Sequence, residues 1–122
     1  IKQLSGQQGR IMPELSTWIW VDALKWRAER EGASFYVLHK GDADAGVVLV
    51  KLVGADRLAR LFVPVRDMEG ERVWSQPLGS LPMEEARADA YIARRREDDP
   101  DIWAVEIMDR DGRHFLMERV EE

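Results

Sequence analysis

The chain has 122 residues, 45% hydrophobic and 34% charged, a balance that excludes a disordered chain and fits one soluble domain with its own core. It contains no Cys, which excludes a disulfide framework, a thiolate zinc site and a cysteine nucleophile. A net charge of −5 argues against a general electrostatic grip on nucleic acid.

Residues 1–11 are polar and Gly/Gln-rich, without the apolar stretch of a secretory signal, and Met12-Pro13 reads as a natural start. We expect 1–11 to be a disordered or non-native segment and 12–122 to form a single α+β domain in the cytoplasm. The longest apolar run, Ala45 to Val50, is far short of the roughly twenty residues of a spanning helix. The first periodic segment runs from Thr17 to Glu31, with Ser16 or Thr17 as cap and Gly32 as stop. At helical spacing, Trp18, Trp20, Val21, Leu24 and Ala28 form one apolar arc. Ile19, Ala23 and Trp26 form a second stripe that a helix packed on one side does not need.

The period then changes to two. Ala33–Lys40 and Gly46–Val53 read as strands, the second apolar on both faces and therefore central. The Gly41–Gly46 cluster between them suits a hairpin loop. A third strand covers about Leu58–Val65, with Pro64 at an edge or terminus. A turn at Asp67–Gly70 leads to a short fourth strand, Glu71–Ser75. The second helix is predicted over about Pro82–Glu97, capped by Ser80, with Met83, Ala86, Ala90 and Ala93 buried. Pro100 follows its end. Ile102–Met108 alternates, with Trp103, Val105 and Ile107 on one face. Asp111-Gly112 signals a hairpin that returns as a last strand, His114–Val120. The sum is a mostly antiparallel sheet of five to six strands with two helices, in the order α-β-β-β-β-α-β-β.

Several separated runs carry a resemblance: Trp20 to Leu24, Arg27 to Glu29, Lys40 to Gly46, Ala90 to Arg96, Asp99 to Trp103, and Glu106 through Asp111-Gly112. Over about Glu14 to Met117 the chain resembles a small uncharacterised bacterial family, a domain of unknown function. The resemblance implies no activity, cofactor or catalytic residue.

Few residues offer chemistry. Asp42 and Asp44 begin like a calcium loop, but positions 5 and 12 of that loop are Gly46 and Val53, so a turn is expected. Asp109 and Asp111 read the same way. His39 and His114 would hold a transition metal only if their strands were neighbours, and we expect no metal and no cofactor. No Gly-x-Ser-x-Gly elbow surrounds Ser34, Ser75 or Ser80, and no phosphate-binding glycine motif occurs. Arg94, Arg95 and Arg96, with Tyr91 before them, form the densest basic point. Basic side chains also suit the end of a helix.

Three functions compete. The first is a non-catalytic interaction module that engages a protein partner or, as a homodimer, itself through Ile19, Ala23 and Trp26. The second is a small-ligand binder or enzyme using carboxylate and Arg groups at a sheet-edge cleft, with Asp42, Asp44, Arg60 and Arg66 as first suspects. The third, disfavoured by charge, is a weak single-stranded nucleic-acid binder using the Arg94–Arg96 patch. No membrane partner is expected.

Overall fold

The structure is a computed structural model, and it describes residues 15–121. The segment 1–11, expected to be disordered or non-native, lies outside the described residues.

The first helix, α1, spans Thr17–Arg30. Its N-terminal amides must find acceptors, because they have none within the helix. Neither expected cap supplies one: Ser16 makes no side-chain cap, and the Thr17 hydroxyl donates to the Gly46 carbonyl at 2.9 Å. The acceptors come from a distant loop. Trp18 N–H donates to the Ala43 carbonyl at 3.0 Å and Thr17 N–H approaches the Asp44 carbonyl at 3.4 Å. At the other end Gly32 takes a positive φ of 93°, as a helix stop requires.

Six strands follow in one sheet: β1 Ser34–His39, β2 Val48–Val53, β3 Leu58–Arg66, β4 Arg72–Ser75, β5 Met83–Glu84 and β6 Trp103–Met108. The second helix, α2, spans Glu85–Asp98, between β5 and β6. The main strand order is β1-β6-β2-β3-β4, with β5 on β3. Every pairing is antiparallel except β2 with β6. The fold is therefore α+β with a mostly antiparallel sheet.

Two pairings differ from the sequence reading. β1 and β2 do not form a hairpin, because β6 lies between them. Four of the six β6 residues are fully buried apolar side chains or Trp103, and such a strand belongs in a sheet interior. Consequently the segment after β6 cannot return as the expected strand: both edges of β6 are already paired. The Asp111-Gly112 turn does form, with Gly112 N–H donating to the Asp109 carbonyl. Beyond it the chain crosses one face of the sheet, buries Leu116 and reaches β4. There Val120 bridges Trp74, Trp74 N–H donates to the Arg119 carbonyl and Glu121 N–H donates to the Trp74 carbonyl.

Strand alternation divides the core into two. On one face Val21, Leu24 and Ala28 of α1 pack with Val50, Phe62, Val105, Ile107 and Leu116. On the other, Ala88 and Ile92 of α2 pack with Leu49, Val53, Leu61 and Ala104. The buried face of α2 is thus not the alanine stripe: Met83 is buried, but Ala86, Ala90 and Ala93 are exposed. Nor does Ser80 cap this helix, whose N-cap position is Glu84. Among the described residues, no helix is long and apolar enough to cross a membrane.

The Gly41–Val47 loop has to pass the start of β6. A Cβ on Gly41 or Gly46 would collide with the Asp101 carbonyl, and one on Gly46 would also meet the Trp103 ring at 2.8 Å. We predict that Gly46→Ala costs about 1–3 kcal/mol through overpacking. Asp44→Ala, which leaves the loop backbone unchanged, should cost about 0.5 kcal/mol or less. Urea denaturation of the two variants checks the contrast.

Candidate functional site

The second stripe of α1 points away from the sheet. Ile19 is 38% exposed and Trp26 62% exposed, while Ala23 is half-buried. Nothing from α2 covers them, since α2 lies on the opposite face. The Arg30 guanidinium lies 4.7 Å over the Trp26 ring, a contact that leaves the indole largely open. Trp18, read as core, is exposed as well. Trp20 is half-buried against Trp74, with ring centroids 5.7 Å apart and an interplanar angle of 31°.

The carboxylates of the Gly41–Val47 loop do local work. Asp42 Oδ2 accepts from the N–H groups of Asp44 and Ala45 at 3.1 and 2.8 Å, which fixes a turn. The loop is also anchored from below: Asp42 N–H donates to the Asp101 carbonyl at 3.0 Å, and Trp103 Nε1 donates to the Asp42 carbonyl at 2.7 Å. Among the described residues no three His, Asp or Glu side chains group as metal ligands. His39 lies exposed on β1, while His114 packs edge-on against Phe62 of β3 at 5.3 Å, so β6 and β2 separate the two. Asp109 is buried and held by Arg113, which donates Nε and backbone N–H to Oδ2 at 2.9 and 2.8 Å.

The remaining candidates are not brought together. Arg60 donates to Gln76 Oε1 at 3.2 and 3.0 Å, and Arg66 donates to the Gly70 carbonyl at 3.1 Å. Arg60 stands opposite Leu52, late in β2, whereas Asp42 and Asp44 precede that strand. Arg94 and Arg95 both lie over the Tyr91 ring, at 5.7 and 5.8 Å, and Arg95 donates to its hydroxyl. The ring that would stack a base already carries two guanidinium groups of its own chain.

Two features were not singled out in the sequence. The first is Lys51, 3% exposed in the centre of β2. Its Nζ lies 2.8 Å from Glu85, 2.8 Å from Asp89 and 3.2 Å from Glu106, and Arg57 pairs with Glu85 at 3.0 Å. Burial pulls its pKa down, but bonds to Asp89, Glu85 and Glu106 outweigh burial and hold it above the ordinary lysine value. An ammonium so bound is not an amine nucleophile at neutral pH. The signal for it was a lone Lys in the apolar run Val48 to Val53. The second is a cleft of about 500 Å³ between the start of α1 and β4, bordered by Trp20, Val47, Pro64 and Trp74 with Asp44, Arg72 and Glu118.

The model of a protein family of unknown function, DUF1491, matches residues 15–117. Crystal and NMR structures of a DUF1491 family protein from Caulobacter crescentus are both 54% identical to this chain. The crystal structure has a TM-score of 0.83, covering 88% of this chain and 100% of that one. The NMR structure has a TM-score of 0.81, covering 91% and 100%. A solution structure of a protein from A. tumefaciens is 25% identical, with a TM-score of 0.74 over 90% of this chain and 98% of that one. No curated protein matches.

The ion network makes a pH-dependent prediction. Lys51→Met leaves three carboxylates facing one another and should cost about 3 kcal/mol at neutral pH. In the native protein the bond to Lys51 holds the Glu85 carboxyl below its ordinary value of 4.5. That stabilisation is present above this value and is lost as pH falls below it. Acid also neutralises the unpaired carboxylates of the variant. The stability gap should therefore be widest at neutral pH and narrow in acid, as melts across pH would show.

His114 makes a second. Burial, with Arg60 nearby, holds its imidazole below the ordinary 6.5, and its Nδ1 accepts Leu116 N–H at 2.9 Å. The unfolded chain protonates first, so stability is full above 6.5 and declines as pH drops below it. His114→Asn, whose amide oxygen can accept the same N–H, should flatten the loss of melting temperature between about pH 7 and about pH 5.

Proposed function

The chain belongs to the DUF1491 family, and we propose that it is a non-catalytic, cytoplasmic protein-interaction module whose partner is a second copy of itself. The observation that carries this reading is the asymmetry of the two sheet edges. At β4, the N–H and carbonyl of Trp74 are taken by Arg119 and Glu121 of the same chain. At β1, no described residue pairs with the outer edge, and Tyr36, Val37 and Leu38 are 50%, 46% and 37% exposed. An open edge offers a row of unpaired N–H and C=O groups to another strand. The six residues Ser34–His39 include no acid, Lys or Arg, so two antiparallel copies oppose no like charges.

Helix α1 supports the same reading. Trp26 and Ile19 put apolar area on the outer surface, and an indole removes much area from water at small entropic cost. The absence of catalysis is inferred from how the perturbed groups are used. Lys51, Glu85, Asp67, Asp109 and Arg113 are each closed into ion pairs, and His114 accepts a backbone N–H. Nucleic acid is not proposed as a partner, given the net charge of −5 and the Arg-covered Tyr91 ring.

Light scattering on the purified chain tests the reading. Wild type should dimerise. Val37→Lys should give a monomer, because a charge on an edge strand blocks pairing. Trp26→Glu should weaken association, and both variants should keep stability within about 0.5 kcal/mol. A wild type that stays monomeric at every concentration overturns the proposal.

A further inference from the structure

We infer that the cleft beside β4 is a binding site for a small organic cation of the alkylammonium or guanidinium class. The inference does not rest on self-association: the cleft borders β4, at the other end of the strand order from β1. Its volume of about 500 Å³ falls in the range of small-molecule sites.

The wall is aromatic and apolar. Trp20 is backed by fully buried Trp74, which fixes the orientation of the Trp20 ring, and Val47 and Pro64 complete this surface. An indole face attracts a cation through its quadrupole, most strongly where water is partly excluded. The lining carries two carboxylates, Asp44 and Glu118, against the single guanidinium of Arg72. Glu118 is held in place by Trp74, whose Nε1 donates to Oε1 at 2.9 Å, so its second carboxylate oxygen is oriented by a bond already made. The Asp44 carboxylate makes no hydrogen bond or ion pair with any described residue, because only its backbone is used in the loop. Arg72, which also borders the cleft, has an interaction of its own.

Charge then selects the ligand. An anion would meet two carboxylates against one guanidinium, a lining of net negative charge. A neutral apolar molecule would strip water from both without replacing its hydrogen bonds, which is unfavourable. A cation with an apolar body satisfies both halves of the site: the body lies on Trp20 and Pro64, and the charge faces Asp44 and Glu118. The net charge of −5 adds long-range attraction for the same ligand.

The test is a titration of the ¹⁵N-labelled full chain with tetramethylammonium chloride at constant ionic strength, followed in ¹H–¹⁵N correlation spectra. Parallel titrations use sodium chloride and tert-butanol, the latter an uncharged molecule of similar size. The expected result is a saturable shift of the Trp20 indole N–H and of the Ala45 to Val48 amides with tetramethylammonium alone. Exposed Trp26 serves as an internal control and should stay still. Glu118→Gln keeps an acceptor for Trp74, and Asp44→Asn keeps the loop backbone. Each should weaken binding by about fivefold, the effect of losing one partly exposed charge partner. Three results would overturn the inference: an equal response to tert-butanol, shifts at Trp26 as large as at Trp20, or affinity unchanged in both variants.

Discussion

Much of this molecule follows from one constraint: β6 occupies the slot between β1 and β2. Because both its edges are paired, the chain before β2 must cross over its start, and the chain after it must leave the sheet. The crossing brings the Gly41–Val47 backbone against Asp101, which is why Gly41 and Gly46 lack room for a Cβ. It also carries the carbonyls of Ala43 and Asp44 to the first amides of α1. A helix that lacks a side-chain cap is thereby satisfied by a loop more than twenty residues away along the chain. The departing C-terminal segment covers the β3 and β4 side and is tied to α1 by Arg27, which donates twice to the Phe115 carbonyl at 3.2 and 3.0 Å. The outer edge of β1 and the outer face of α1 are left uncovered by this segment.

The second face is organised by charge as much as by apolar area. Lys51 stands beside Glu106 in the parallel ladder, so a cation and an anion from neighbouring strands point to the same side. Glu85 and Asp89, one turn apart on α2, reach down to the same ammonium. This sets the rotation of the helix: with Glu85 and Asp89 directed at Lys51, Ala88 and Ile92 face the sheet, and the Ala86, Ala90 and Ala93 stripe faces water. A buried lysine without such partners would be costly, and the network offsets that cost while fixing one orientation of the helix.

Local patterns along the chain carried the element order and most of the strand residues, because period and turn chemistry are local properties. They did not carry the strand pairing. The Asp111-Gly112 signal located a real turn, yet whether a strand follows depends on a free edge some sixty residues away in sequence. Likewise three alanines at helical spacing outweighed Ala88 and Ile92 because the lysine that orients the helix sits in another element. The Ile19, Ala23 and Trp26 stripe was legible, since one helix face suffices to see it. Trp18 was not, because its place on the arc says nothing of where the sheet ends. The cleft drew on α1, β2, β3, β4 and Glu118 at once, and no spacing rule joins those residues.

The place of β6 in the sheet has a consequence for biosynthesis. Of the strands described, it is the last to be translated, yet it fills an interior position. While a ribosome is still extending α2, β1 and the inner edge of β2 lack the strand that joins them. β2 and β3 can pair with each other once both have emerged, but β1 has no native neighbour without β6. The nascent chain therefore presents two unpaired apolar edges until Trp103–Met108 emerges, and closure of the sheet is a late event gated by translation. In that interval β1 and one edge of β2 are open to pairing with any other strand.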